Sequence, residues 1–539
     1  MVRIVALLTT WLALLSIQSN PAKAVDPRDT IVIVAWAAPA VPDQYGPNYL
    51  TDSTNFTFVG FGLPNDHWFV RLYNEHEETR RYLSYDSLKA VGVDAIMNSY
   101  PGNKLSPGPE LLYRAARDAG LGYLPMPRTI NRQEDLEAYG ARYHADSVAV
   151  RTLMEAPLWN DDAENNPIIG WYTWDDHMNV LDTTDCIIAN DRIVRDIIRD
   201  PSSSAKDSAF TFVGSPYSPG KTAELIRMLS ATYEPDRPRP VFGIQLFRFR
   251  RRVSGQNWPI SALNRHCLGY WKAVHDPANR VSGESWREYP YWHFVHMTAE
   301  NGLIPVFRDP PDTESLRIDV FSKLAWGAKG IGYVTYMHGM PNRRMIDRLA
   351  WGDVTDSVAY WPGVFTGTES AGYWYASGFN HVYYAMKTVN AEIHLIAAKL
   401  GPAICHVPVV APQDPNVGYA EASSFVKSVE IVSYSEFDDR VLVTPFSSPD
   451  SAITDERYLM LVNQSEADEW SGLAGGPISV TVELDSAILG GHGTYRFYDM
   501  LHDTAWTVDA TPSQRFALDS LRLERGGVRF ISVVKTPEP

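Results

Sequence analysis

The residues of this chain whose types and spacing could do chemistry are two adjacent carboxylates set among aromatic rings. Asp175 and Asp176 are followed by His177 and preceded by Trp171, Tyr172 and Trp174. Paired carboxyl groups can act as acid and base when their surroundings keep one protonated and the other ionised. Just before them, Pro167-Ile168-Ile169-Gly170 reads as a strand covered on both faces. The acids therefore stand where a buried strand ends. Adjacent strand residues point to opposite faces, so one acid of the pair faces the cleft and the other accepts hydrogen bonds from the loop or from His177. If both crowd into one cleft, repulsion between them raises one pKa, which suits a general acid. The plainer reading is a strand leaving the core with two solvated acids in its loop.

Such a strand needs a sheet around it. Strands are predicted at Thr30–Ala37, Asp94–Ser99, Leu121–Met126, Ile168–Trp174, Ala209–Gly214, Pro240–Phe247, Leu303–Phe307 and Gly330–Tyr336. Helices are predicted over Glu75–Val91, Pro109–Ala119, Leu136–Met154, Ile187–Arg199, Thr222–Thr232, Tyr291–Glu300, Thr313–Trp326 and Asn380–Leu400. Residues 248–289 read as an irregular insertion rich in Trp, Tyr and Arg, and Met337–Gly378 as a long excursion. Strands alternating with helices imply a parallel sheet. Eight such units fit a (β/α)8 TIM barrel, with a doubly wound sheet as the alternative. From about Cys405 the helical period disappears, and repeated short strands imply an antiparallel β-sandwich. The domains expected are a signal peptide at 1–24, a barrel at 25–403 and a sandwich at 404–536.

In a barrel the chemistry sits at the C-terminal ends of the strands. Trp36 and Trp174 end strands one and four and are candidate sugar platforms, with a buried core Trp the other reading for each. Asn98 and Arg128 follow strands two and three and could bind hydroxyls. Strand six offers Gln245, a hydrogen-bonding group and not a nucleophile, and Tyr336 and His338 follow strand eight at the same rim.

Composition narrows the class. The chain has 539 residues, 45% of them hydrophobic, enough to bury a large core and a smaller one. Its formal charge is −16, and it becomes more negative if Arg3 and Lys23 leave with the signal. A chain this acidic repels nucleic acid and anionic membranes and is compatible with a neutral substrate. The strongest basic run, Arg248–Arg252, is local. The 16 Trp and 28 Tyr suit clefts where rings stack on sugars, and equally a large aromatic core. Arg3, the apolar run Ile4–Ile17 and Ala22-Lys23-Ala24 form a signal-peptide pattern, so the mature chain is expected to be secreted or periplasmic after cleavage near Ala24, without a membrane span. Three widely spaced cysteines, Cys186, Cys267 and Cys405, make neither a disulfide framework nor a zinc pattern, and no metal or cofactor is expected. No phosphate-binding glycine loop and no Gly-x-Ser-x-Gly elbow follows a strand. Asn55 and Asn463 sit in Asn-x-Ser/Thr patterns for glycosylation.

Two motifs resemble one superfamily. Gly170-Trp171-Tyr172-Thr173-Trp174-Asp175-Asp176 is similar to the fourth-strand segment of clan-A-type (β/α)8 glycoside hydrolases, in which Gly-Trp-Tyr is followed by Asp-Glu-Pro and the Glu is the acid/base. Asp176 stands in place of that Glu and His177 in place of the Pro. Gly327-Ala328-Lys329-Gly330-Ile331 resembles the segment entering their eighth strand, and a terminal β-sandwich is common in β-galactosidase-like members. The resemblance implies carbohydrate as substrate, Asp176 as acid, and a second carboxylate at the end of strand seven. With that strand placed at Leu303–Phe307, Asp309 is the first candidate, although Asp309-Pro310-Pro311-Asp312-Thr313 also reads as a turn into a helix cap. Glu284 and Glu288 are the alternatives from the insertion. A carboxyl separation of roughly 5 Å would give retention, and roughly 6.5–9.5 Å inversion. The Asp-for-Glu replacement also fits a barrel that has lost catalysis and serves as a carbohydrate-binding or cell-surface protein.

Overall fold

The structure, a computed structural model, describes residues 26–36, 85–97, 108–125, most of 147–155, 166–174, 184–203, 210–232 without 216–217, 240–245, 260–280, 289–296, 311–334, 365–412 without 371–372, and 424–536 without four short stretches. Eight strands form one parallel sheet: β1 Val32–Trp36, β2 Ala95–Met97, β3 Gly122–Leu124, β4 Gly170–Trp174, β5 Phe210–Ser215, β6 Val241–Gln245, β7 Tyr291–His296 and β8 Gly330–Val334. Their order is β3-β2-β1-β8-β7-β6-β5-β4. A parallel bridge between Tyr123 and Ile168 joins the two ends, where Tyr123 N donates to Pro167 O at 2.7 Å and Ile169 N to Tyr123 O at 3.1 Å. The sheet closes on itself. It is a (β/α)8 barrel, and the open doubly wound alternative falls.

The described helices are α1 Tyr85–Ala90, α2 Gly108–Ala119, α3 Thr184–Arg199, α4 Pro219–Thr232, α5 Ile260–His275, α6 Thr313–Ala325 and α7 His381–Leu400. Two expectations are corrected here. Residues 248–289 are not one irregular insertion, since α5 lies within them. Tyr291–His296, expected as the start of a helix, is β7, and it pairs with β6 and β8 on either side. The expected strand at Leu303–Phe307 lies outside the described residues.

The barrel interior is apolar. Val32, Val34, Ala95, Met97, Leu124, Ile169, Tyr172, Phe210, Phe212, Val241, Trp292 and Phe294 form one cluster. Large rings there face glycines: an added Cβ at Gly330 would sit 2.6 Å from Trp292, and one at Gly170 2.8 Å from Phe210. The glycines of Gly-Ala-Lys-Gly-Ile thus have a packing reason. Lys329 between them turns away to donate to Gly401 O at 2.6 Å and Ala403 O at 2.7 Å, satisfying carbonyls at the end of α7 that no helical N–H can reach.

Between β8 and α7 lie two further strands, β9 Phe365–Ser370 and β10 Tyr373–Phe379. After α7 come β11 Ile404–Cys405, β12 Val409–Ala411, β13 Val426–Ser433, β14 Val441–Ser447 and β15 Arg457–Asn463. The last five are β16 Ile478–Asp485, β17 Gly493–Asp499, β18 Thr504–Ala510, β19 Arg515–Leu523 and β20 Val528–Lys535. Strands β11 to β20 make two antiparallel sheets, β11-β14-β15-β20-β17-β18 with β12 on β14, and β13-β16-β19. Leu459 and Leu461 of β15 pack between the sheets, while Met460 and Val462 of the same strand join the core that surrounds the barrel. The larger sheet is therefore buried on both faces, and α6 packs on β14 and β15. Polar groups lock this joint. Asn264 Nδ2 donates to Gln464 Oε1 at 2.8 Å, Gln464 Nε2 to Ser322 Oγ at 2.7 Å, and Trp326 Nε1 to Asn264 Oδ1 at 3.1 Å. Asn463 is wholly buried, and its amide donates to Gly476 O at 3.0 Å and Glu524 O at 2.9 Å. In the folded chain this residue is a structural tie and not a glycosylation acceptor. Asn55 lies outside the described residues. Cys267 and Cys405 are free thiols, both buried.

Candidate active site

β4 delivers the candidate acids. Asn166 opens it, its Oδ1 accepting from Ile168 N at 2.9 Å. Trp171 then packs outward into the shell between strands and helices, while Tyr172 packs inward and meets the edge of Phe212 with ring centroids 5.4 Å apart. The pleat then breaks. Tyr172 pairs with Phe212 and Trp174 with Val213, so two residues of β4 advance against one of β5. Thr173, wholly buried, fills the irregularity by donating its Oγ1 to Phe212 O at 3.2 Å. A bulge increases local twist and re-aims the residues beyond it, and such bulges gather at barrel rims beside active sites. The parity rule that separates Asp175 from Asp176 assumes a regular pleat. Here the pleat is interrupted immediately before them.

The structure ends strands at several of the expected positions. Trp36 is the last residue of β1 and pairs with Met97, the last of β2. Trp174 ends β4, whereas β6 ends at Gln245, two residues before the expected Phe247. In a closed parallel barrel these ends share one rim. Asp175, Asp176, His177, Asn98, Arg128, Tyr336 and His338 follow described strands but lie outside the described residues, as do Asp309, Glu284 and Glu288.

The shift of strand seven changes the frame for the second carboxylate. β7 ends at His296 and not at Phe307, so the reason for placing Asp309 at a strand end no longer holds. Asp309 belongs to the connection from β7 to α6. Downstream of it, Asp312 is the N-cap of α6, its Oδ1 accepting from Ser315 N at 2.7 Å, as the turn-and-cap reading requires. Glu284 and Glu288 precede β7 on the connection from α5, which enters the barrel from the opposite end. The first carboxylate after His296 in the sequence is Glu300. Sequence reasoning misses it because β7 reads as helix, although Tyr291-Trp292-His293-Phe294-Val295 is almost wholly aromatic and β-branched.

Beneath this rim, β7 is held by charge and hydrogen bonds. Lys323 and Asp319 on α6 are both wholly buried and 2.8 Å apart, and Lys323 Nζ also donates to Phe294 O at 3.0 Å. His293, wholly buried, faces the rings of Tyr270 and Tyr291. Burial, reinforced by nearby Lys323, holds its imidazole far below the usual histidine range and therefore neutral. Tyr333 donates to Asn390 Oδ1 at 2.7 Å, and burial raises its phenol pKa. Among the described residues no group of three or more His, Cys, Asp or Glu is gathered as metal ligands would be, and no helix is long and apolar enough to cross a membrane.

No known family model matches the chain, and no curated protein matches it. Solved structures do. One described as a glycoside hydrolase is 12% identical, covering 97% of this chain and 98% of its own, with a TM-score of 0.46. A GH27 β-L-arabinopyranosidase from Geobacillus stearothermophilus is 10% identical, covering 95% and 98%, with a TM-score of 0.44. A glycoside hydrolase family 5 structure from Bacteroides vulgatus is 12% identical, covering 86% of each chain, with a TM-score of 0.43. Likenesses at this level assign no family.

Proposed function

We propose that this chain is an exported glycoside hydrolase, with its catalytic domain at 25–403, cleaving a neutral oligo- or polysaccharide at the C-terminal rim of the barrel. The observation that carries the reading is β4: a closed barrel strand that bulges at Thr173 and runs straight into Asp175-Asp176. Carboxylates at such a strand end are placed for catalysis, whereas the fold itself needs none there. Asp176 is the general acid. Its partner is a carboxylate on the connection leaving β7, Glu300 before Asp309, a ranking supported by the end of β7 at His296. Trp36, Trp174, Asn98, Arg128, Gln245, Tyr336 and His338 are the candidates for holding sugar rings and hydroxyls. The acidic overall charge favours a neutral substrate over nucleic acid.

The test is turnover of a panel of aryl glycosides and neutral oligosaccharides, with product stereochemistry read by NMR. Asp176→Asn and Glu300→Gln each lower kcat by orders of magnitude without unfolding the protein, and Asp309→Asn has the smaller effect. Full activity in Asp176→Asn removes the assignment of the acid. Glycan binding with no turnover in the wild-type chain assigns the alternative role, a carbohydrate-binding barrel. N-terminal sequencing of the exported protein is expected to begin near Val25.

A further inference from the structure

In a (β/α)8 barrel the helices start at the rim where the strands end, so helix N-termini lie on the catalytic side. Two of these starts, those of α5 and α6, are held by the C-terminal sandwich. Glu466, 1% exposed, accepts at 3.0 Å from the backbone N–H of Ile260, the first residue of α5. A carboxylate there satisfies an N–H that has no partner within the helix, and it meets the positive end of the helix dipole. At α6, Ala474 N donates to Oγ of the wholly buried Ser315 at 3.2 Å, and Arg525 donates to Asp312 Oδ2 at 3.0 Å. The other oxygen of Asp312 caps the helix, so Arg525 holds the cap itself. Gly526, at φ +59°, lies against the same turn, where an added Cβ would sit 2.6 Å from Glu314 O.

These contacts come from one end of the sandwich. Glu466 bridges to Ala474 in antiparallel register, and Gly475 N donates to Ser465 O at 2.6 Å. The amide of Asn463 ties the carbonyls of Gly476 and Glu524 together. Segments 463–466, 474–476 and 524–527 are thus cross-tied into one body. What that body holds is the far end of two rim connections, one from β6 at Gln245 to α5 at Ile260, the other from β7 at His296 to α6 after Asp312. Each is anchored at its start by the barrel sheet and at its finish by the sandwich. The second carries Glu300 and Asp309. Away from this rim, Lys399 near the end of α7 pairs with Glu456 at 2.9 Å. That contact joins the same two domains, but on the side where helices end and conserved positions serve stability instead of chemistry.

We infer that this end of the sandwich is a working part of the catalytic face, with Arg525 and Glu466 as positioning residues for the carboxylate opposite Asp176. They act by fixing where α6 and α5 begin. This rests on the glycoside hydrolase reading above and on its second carboxylate following β7.

Arg525 gives the cleaner experiment. Its side chain and that of Asp312 are 46% and 35% exposed, and pairs as open as this contribute little to stability. Steady-state kinetics of the full chain, on the panel substrate turned over fastest, separates kcat from KM. Arg525→Ala is expected to lower kcat about tenfold with KM and the urea midpoint nearly unchanged, because small displacements of a catalytic group are costly. Arg525→Lys, which keeps an ion pair, regains most of that loss. Lys399→Ala breaks a partly exposed pair of the same kind on the other side of the barrel and leaves kcat unchanged. Glu466→Ala lowers both kcat and the midpoint, whereas Glu466→Gln, whose amide oxygen still accepts from Ile260 N, keeps most of kcat. If Glu466→Ala does not fold, Arg525→Ala decides. Unchanged kcat in Arg525→Ala, an equal loss in Arg525→Lys, or an equal loss in Lys399→Ala overturns the positioning role and leaves the hydrolase reading standing. If the wild-type chain turns over nothing in the panel, the hydrolase reading falls and the positioning role with it.

Discussion

The inner and outer surfaces of the barrel wall are built on opposite principles. Inside, the described side chains form an apolar cluster fitted mainly by volume, with rings of Phe210, Phe212, Trp292 and Phe294 occupying the space that glycines leave. Outside, behind β7 and β8, the same strands meet Asp319–Lys323, Tyr333–Asn390 and the Asn264–Gln464–Ser322–Trp326 network. Apolar contact is non-directional, so the interior tolerates any filling of the right size. Hydrogen bonds are directional, so the outer seam fixes how α5, α6 and the larger C-terminal sheet register against the barrel. The interior sets whether the barrel fills. The seam sets what is attached to it and at what angle.

That contrast can be broken from the seam first. Asp319→Ala leaves the ammonium of Lys323 buried without its carboxylate and is expected to cost about 3–5 kcal/mol. Replacing both, Asp319→Leu with Lys323→Met, costs much less, because no charge is stranded. Urea unfolding of the two variants beside the wild type measures this, and equal losses in the single and double variants would mean that packing governs the seam as well. On the inside, Gly332→Ala pushes a methyl into Phe294 and is expected to destabilise by about 1–3 kcal/mol. Adding Phe294→Leu returns part of that loss if volume is what matters, and returns none if it is not. Gln464→Ala leaves Asn264 and Ser322 without their partner at the joint with the sheet and is expected to cost about 1–2 kcal/mol by the same measurement.

The same contrast explains how much of the fold and the site is legible in the residues alone. β4 and β8 are legible because a β-branched or glycine-punctuated run ends in a recognisable motif. β7 is not. Its alternation is real, with Trp292 and Phe294 inward and Tyr291 and Val295 outward, but both faces are buried, so only His293 and the terminal His296 interrupt an otherwise apolar run. The adjoining Met297-Thr298-Ala299-Glu300 extends the run like a helix. α5 carries Ile260, Leu263, Cys267 and Val274 as a buried stripe, hidden between Arg- and Trp-rich flanks. One misplaced strand then moves the expected second carboxylate from Glu300 to Asp309. The bulge at Thr173 is beyond such reading, since it arises from the register with β5 and not from local composition. Asn463 shows the converse: a short glycosylation pattern is outweighed by complete burial and by hydrogen bonds to distant carbonyls.

His293 is where the two principles meet, and it offers the finest test. It sits on the outward face of β7 among polar seam residues, yet neither ring nitrogen has a hydrogen-bond partner among the described atoms. Burial, with Lys323 nearby, holds its pKa well below the ordinary value, whereas in the unfolded chain it titrates near about 6.5. Between those two values the unfolded state binds the extra proton. The stability associated with neutral His293 is therefore fully present above about pH 6.5 and declines as pH falls below it. His293→Phe removes both orphaned nitrogens and the proton linkage. It is expected to raise stability by about 1 kcal/mol at pH 7, with the advantage widening toward pH 5. Urea midpoints at pH 7, 6 and 5 decide the matter. An advantage that stays constant across that range would show that His293 is charged or partnered in the folded chain, and that the seam is polar there too.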